Sequence, residues 1–173
     1  MNYNIALLGL IEIVSAITIG IFILALTYKI MQFVGMKYYG IKDFNLAYSI
    51  FTAAIIISVG LMVSGVIQPL ISSFRLLNRE SDTFLVVFKY MGIGLIYISI
   101  AYVSAILIGL ISTFLYSKIT PINEFEEIRN NNIGVALIVS SILITLTLLT
   151  KSGVVMLIEA IIPYPELPPG GFY

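Results

Sequence analysis

Four long apolar runs, separated by short polar passages, dominate the chain. The first extends from Ile5 to Val34, interrupted by Glu12 and Lys29. The second, Phe44 to Phe74, carries no charge and is broken only at Gln68 and Pro69. The third, Tyr90 to Ser117, follows Lys89. The fourth starts at Ile133 and reaches Thr150, or Ile162 if Lys151 and Glu159 are accommodated. A hydrocarbon core of about 30 Å is crossed by roughly 20 helical residues, and a helix pairs its own backbone groups where no water is available. Each run meets that length, so the pattern predicts an all-α membrane protein with four transmembrane helices. In the closing "PYPELPPGGFY", Pro163, Pro165, Pro168 and Pro169 end any helix and favour an extended tail.

The runs resemble one another in pairs. With Asn45 set on Asn132, "NLAYSIFTAAIIIS" aligns without a gap on "NIGVALIVSSILIT", so that Ser49, Ala53, Ala54 and Ser58 meet Ala136, Ser140, Ser141 and Thr145. With Lys29 and Ile30 set on Lys118 and Ile119, Ala16 and Gly20 fall on Ala105 and Gly109. The two registers differ by two residues, an insertion in the polar loop. In these registers Lys151 aligns with Ser64 and Glu12 with Ala101, so charge is not shared between the halves. The expected organisation is two parallel tandem two-helix repeats. The first is 1–74 and the second 90–162, the latter with its polar loop at 116–132; a connecting loop (75–89) joins them and a proline-rich tail (163–173) follows. A unit that crosses twice returns to its starting side, so the two units share one orientation about an axis along the membrane normal.

Composition reinforces the membrane reading and removes most chemistry. Of 173 residues 60% are hydrophobic and 10% charged, against about a quarter charged in soluble domains, and the mean hydropathy is +1.07. Cysteine, histidine and tryptophan are absent, which takes away disulfides, thiolates, the usual zinc ligands and the commonest general base. Nine basic and nine acidic residues balance, and no basic surface suggests nucleic acid. The amino terminus has no basic region or small-residue cleavage site and carries Glu12, so it is expected to be retained rather than removed as a signal. No phosphate-cradling Gly-Lys loop, nucleotide fingerprint or Gly-x-Ser-x-Gly elbow is present. Gly92 to Gly94 open a helix, where glycines serve close packing. The chain is therefore expected not to be an enzyme and to hold neither cofactor nor metal.

The passage "YSKITPINEFEEIRNNN", Tyr116 to Asn132, is the polar exception in the second half. Thr120 and Pro121 read as an N-cap and a first-turn proline, followed by Glu124, Glu126 and Glu127 where a helix start favours negative charge. Ile122, Phe125 and Ile128 recur every three residues, giving an apolar edge for the bundle or the bilayer surface while the acids face water. Asn130 to Asn132 stand at the mouth of the fourth helix, suited to satisfying local backbone groups. Glu124, Glu126 and Glu127 with the asparagines offer oxygen ligands of the kind calcium or magnesium takes, but the same residues serve an ordinary solvated helix start.

"YSKITP", then "NE", then Ile128 and "NNN" resembles the loop motif of the YjfL-like proteins, small prokaryotic inner-membrane proteins built from two-helix units and classed as a domain of unknown function. The resemblance implies that Tyr116, Lys118, Thr120, Pro121, Asn123, Glu124, Ile128 and Asn132 are the motif positions. It also implies a multi-pass protein of the prokaryotic cytoplasmic membrane, and supplies no activity. The first unit keeps Lys29, Ile30 and Asn45 of this pattern and lacks its "TP" and "NE".

Two further features bear on function. Ala16 and Gly20 on the first helix, and Ala101, Ala105 and Gly109 on the third, place small residues four apart, which lets helix backbones approach. Such a stripe serves either packing inside the bundle, its more frequent use, or self-association. Charge inside the membrane is the second. The loops between helices one and two and between helices three and four share one side, here side A; both termini and the middle loop share side B. Glu12 and Lys151 lie at comparable depth from side B and suggest an ion pair, although lysines near helix ends also extend to the headgroups. Lys29, Lys37, Lys42, Lys118 and Arg129 on side A balance Arg75, Arg79, Lys89 and Lys151 on side B, so no orientation follows. The reading favoured by these features is a non-enzymatic membrane subunit or scaffold. It would sit in a lipid bilayer, form a homo-oligomer or dock a protein partner through its polar loop or tail, and bind no nucleic acid. An ion or proton conduit is the alternative, on the strength of Glu12 and the asparagines.

Overall fold

The computed structural model describes residues 3–38, 40–41, 45–77, 83–119 and 123–161. Four long helices carry the apolar runs: α1 (Tyr3–Tyr38), α2 (Leu46–Leu77), α3 (Thr83–Ile119) and α5 (Ile133–Ile161), with the short α4 (Glu124–Arg129) between the last two. All four long helices contain a stretch long and apolar enough to cross a membrane. They run further than the apolar pattern predicts. α2 continues past Pro69 to Leu77 and α3 begins at Thr83 rather than Tyr90, because polar residues at a membrane surface extend a helix as readily as apolar ones once its first turns exist. α5 takes the longer of its two expected lengths, carrying Lys151 and Glu159 within it.

α2 is the centre of the bundle. It packs against α1, α3 and α5, and α3 packs against α5 as well. α1 runs antiparallel to α2: the Tyr48 hydroxyl donates to the Met31 carbonyl at 2.6 Å, and further along Gly60 lies against Leu24. α2 and α5 run side by side in one direction. Ala47 N donates to Asn131 Oδ1 just before α5 (3.0 Å), the Ser140 hydroxyl lies 3.4 Å from the Ile50 carbonyl, and Lys151 Nζ donates to Ser64 Oγ (3.0 Å).

Two apolar clusters hold this arrangement. The one toward side B gathers Ile23, Val59, Met62, Val63, Val66, Tyr97, Ala101, Ala105 and Ile158 from all four long helices. The one toward side A gathers Met31, Ile41, Tyr48, Phe51, Ile128 and Val139 and so includes α4. The outer surfaces are equally apolar: Ile13, Ile17, Ile21 and Phe22 on α1 and Leu148, Leu149, Met156 and Leu157 on α5 are all exposed. Lipid tails are as apolar as these side chains, so such faces are at home in a bilayer and would be liabilities in water.

Candidate functional site

The polar residues converge on side A, where the loop of the second half meets the start of α2. Asn45 is the centre of this junction. Its Nδ2 donates to the carbonyls of Ile128 (3.1 Å) and Arg129 (2.9 Å), the last two residues of α4, while its Oδ1 accepts from Tyr48 N (2.7 Å) and so caps α2. Asn132 caps α5 in the same way, Oδ1 accepting from Val135 N (3.3 Å), and its Nδ2 donates to Glu127 Oε2 at 2.7 Å. An asparagine suits both posts because its oxygen fills an orphan helix donor while its amide still has protons for a second partner.

The three consecutive asparagines each have a separate task. Asn130 is the C-cap of α4, its N–H bonded to the Glu126 carbonyl. Asn131 adopts φ +63°, the left-handed conformation that asparagine tolerates better than most side chains. Its N–H bonds to the Ile128 carbonyl and that of Asn132 to the Glu127 carbonyl, which together close the end of α4 in a Schellman turn. The turn aims Asn131 Oδ1 at Ala47 N. α4 is therefore fastened to α2 through Asn45 and Asn131, and to α5 by direct continuation.

α4 begins later than the proline suggested. Its N-cap is Asn123, whose Oδ1 accepts from Glu126 N at 3.4 Å; Thr120 and Pro121 lie outside the described residues. The apolar edge is as expected at two positions. Ile128 is fully buried and Phe125 half-buried, the latter edge-on to Phe51 with ring centroids 6.0 Å apart and planes at 88°. The expectation that the acids face water fails for Glu124, which is only 2% exposed; Glu127 is half-buried and Glu126 alone is well exposed. A six-residue helix lying against the bundle has room for one outward face, and Glu124, one turn before Ile128, shares the inward one.

The remaining motif positions fall outside this junction. Lys118, at the end of α3, is exposed and holds its ammonium 5.6 Å from the centroid of Phe114. The side chain of Tyr116 lies outside the described residues, as do the side chain of Glu12 and residues 162–173, the latter including the whole of the proline-rich tail. Lys29 is exposed on α1. Lys151 is half-buried and bonds to Ser64, the residue with which it aligns between the two halves.

The two stripes of small residues fare differently. Ala101 and Ala105 are buried in the side-B cluster, and a Cβ on Gly109 would stand 3.4 Å from Leu143 of α5, so the α3 stripe is used in packing within the chain. On α1, Ala16 and Gly20 are half-exposed, and a Cβ on Gly20 would meet nothing within 4 Å. The close approaches of α2 are instead at glycines outside both stripes. A Cβ on Gly35 would come within 2.8 Å of the Tyr48 ring, and one on Gly65 within 2.9 Å of Lys151 and 3.0 Å of Val155.

These features define a multi-pass helical membrane protein. Residues 90–162, from α3 through the polar loop and α5, match the family model described as Domain of Unknown Function (DUF350). No curated protein and no solved structure matches the chain. The family match supports membership of this stretch in a domain family of unknown function.

Proposed function

We propose that the protein is a non-enzymatic membrane subunit that self-associates through α1, and that its side-A junction is the rigid platform on which a partner protein docks. The observation that carries this reading is the contrast between the stripes. Ala105 and Gly109 are occupied inside the chain, whereas their counterparts Ala16 and Gly20 face outward on the helix least covered by its neighbours. A second protomer laying a helix on that face would give small residues the close backbone approach they permit.

The tandem repeat belongs to the same proposal. It is supported by the matching caps of Asn45 and Asn132, by the parallel course of α2 and α5, and by the bond between Lys151 and Ser64. In a pseudo-two-fold pair, α1 would occupy the place about α2 that α3 has about α5, and the additional packing of α3 on α2 leaves α1 as the peripheral helix. Residence in a prokaryotic cytoplasmic membrane rests on the resemblance of the loop motif.

Gly20→Leu tests the self-association. In proteoliposomes at low protein density, the wild type should photobleach in multiple steps and Gly20→Leu mainly in one, with unchanged helical circular dichroism. A wild type that is monomeric under these conditions overturns the reading. A conduit is less well supported: most side chains buried among the described residues are apolar, and Glu124 is the one buried acid there.

A further inference from the structure

A cavity of about 230 Å3 lies in the side-A half of the bundle, among α1, α2 and α3, with Phe125 of α4 and Leu143 of α5 also in its wall. Ile30 of α1 and Ile106 and Leu110 of α3 border it and are themselves exposed. The cavity therefore opens sideways between α1 and α3, toward lipid rather than toward water. Its wall is mostly apolar, and a well-formed apolar pocket with a few polar groups is the usual form of a small-molecule site. An apolar cavity of about 150 Å3 already accepts a benzene ring.

Thr27, Tyr48, Tyr102 and Ser58 are the polar residues of the wall; the Thr27 hydroxyl donates to the Ile23 carbonyl and the Tyr48 hydroxyl to the Met31 carbonyl, and Ser58 is the one left buried without a partner. It is 2% exposed, lines the cavity, and its Oγ has no hydrogen-bond partner. The hydroxyls of Thr52 and Tyr97 are likewise buried without a partner, but neither residue lines the cavity. Thr18, Thr27, Ser49, Ser141, Thr147 and Thr150 each donate to the carbonyl four residues earlier, the ordinary way for a hydroxyl to be satisfied in a membrane helix. Ser58 does not turn back, and a buried hydroxyl without a partner is costly.

Depth restricts what can satisfy it. The apolar span of α2 is Leu46–Ile67, and Ser58 lies about 18 Å from Leu46 at 1.5 Å per residue, close to the middle of that span. Ester carbonyls of phospholipids remain at the interface and do not reach this level. A molecule that bonds to Ser58 must carry its own acceptor into the bilayer centre on an apolar body. We propose that the cavity binds a lipid of the isoprenoid-quinone class, with the ring in the cavity, Ser58 Oγ donating to a ring carbonyl, and the hydrocarbon tail leaving between α1 and α3. This is a binding site and is independent of the self-association proposed for α1.

The test is thermal unfolding of the full-length purified protein in detergent, followed by helical circular dichroism, with increasing decylubiquinone; n-decane is the control. Decylubiquinone should raise the melting temperature in a concentration-dependent way. Ser58→Ala, which keeps the cavity and removes the donor, should require about 3- to 10-fold more quinone for the same rise. Ile106→Phe, at the exposed mouth, should abolish it; if that variant does not fold, Ser58→Ala decides. Gly20→Leu should respond as the wild type does, which separates this site from the protomer contact. No rise with decylubiquinone, an equal rise with decane, or a response unaltered in Ser58→Ala would overturn the proposal, the latter two identifying the cavity as a slot for plain hydrocarbon.

Discussion

Lys151 Nζ donates to Ser64 Oγ across 3.0 Å, joining α5 to α2 at two positions that the internal alignment sets opposite each other. Equivalent residues meet in this way when two parallel helices lie beside a common axis. The ammonium is also near the side-B end of the membrane: counted from Ile133, Lys151 is about 27 Å along α5 at 1.5 Å per residue, close to the full thickness of a hydrocarbon core. The stem can therefore cross apolar surface while the charge bonds to Ser64 or reaches the headgroups.

A double-mutant cycle of Lys151→Met and Ser64→Ala should return a coupling of about 0.6 kcal/mol, the scale found for hydrogen bonds between membrane helices. Unfolding of the purified variants in mixed micelles measures it. A coupling indistinguishable from zero would place Lys151 among the headgroups instead.

Asn45→Ala should lower stability by about 2 to 3 kcal/mol, because it removes one cap and two bonds to carbonyls of another element. Asn132→Ala should cost about 1 kcal/mol, since its bond to Glu127 is exposed and only the cap is lost. The same unfolding assay gives the ranking. Equal losses would mean that the fastening of α4 to α2 contributes little.

Gly35→Ala should destabilise by about 1 to 3 kcal/mol, as overpacking does, because the added Cβ would stand 2.8 Å from a Tyr48 ring that is itself fully buried. Gly20→Ala should be neutral or stabilise the isolated protomer by up to about 1 kcal/mol through helix propensity alone. Thermal melts should show a clear fall for Gly35→Ala and none for Gly20→Ala, and equal falls would contradict the packing described.

Asn131→Gly should be milder than Asn131→Ala. Glycine keeps the left-handed turn and forfeits only the bond to Ala47 N, whereas alanine loses the bond and pays backbone strain as well, a difference of about 1 kcal/mol. Chemical unfolding of both variants distinguishes them.

The membrane-spanning helices were legible because the bilayer imposes a length and a polarity that any 20-residue window reveals, as in the uncharged run of α2. The correspondence of Asn45 and Asn132 was legible because one residue type recurs at one register, but the apolar run was expected to begin at Phe44, so the capping role of Asn45 was not. The positions of Glu124 and Asn131 were not. A six-residue helix has too few turns for a periodicity to separate its inward and outward faces, and a left-handed residue is signalled only by a side chain that tolerates it, which any of three adjacent asparagines does. Nor could the spacing of small residues show which stripe would be buried. Gly20 and Gly109 align with each other, and only the position of the neighbouring helix decides that one is packed and the other free.

Asn45 also sets an order of events during synthesis. Its amide bonds to carbonyls 83 and 84 residues further along the chain, which at usual translation speeds emerge roughly 4 to 17 s later. For that interval the first hairpin must wait in the bilayer with the end of α2 unlatched and its amide protons held by water or headgroups. The two halves thus mature together: the first pair of helices is inserted early but receives its final clasp only when the last loop has left the ribosome.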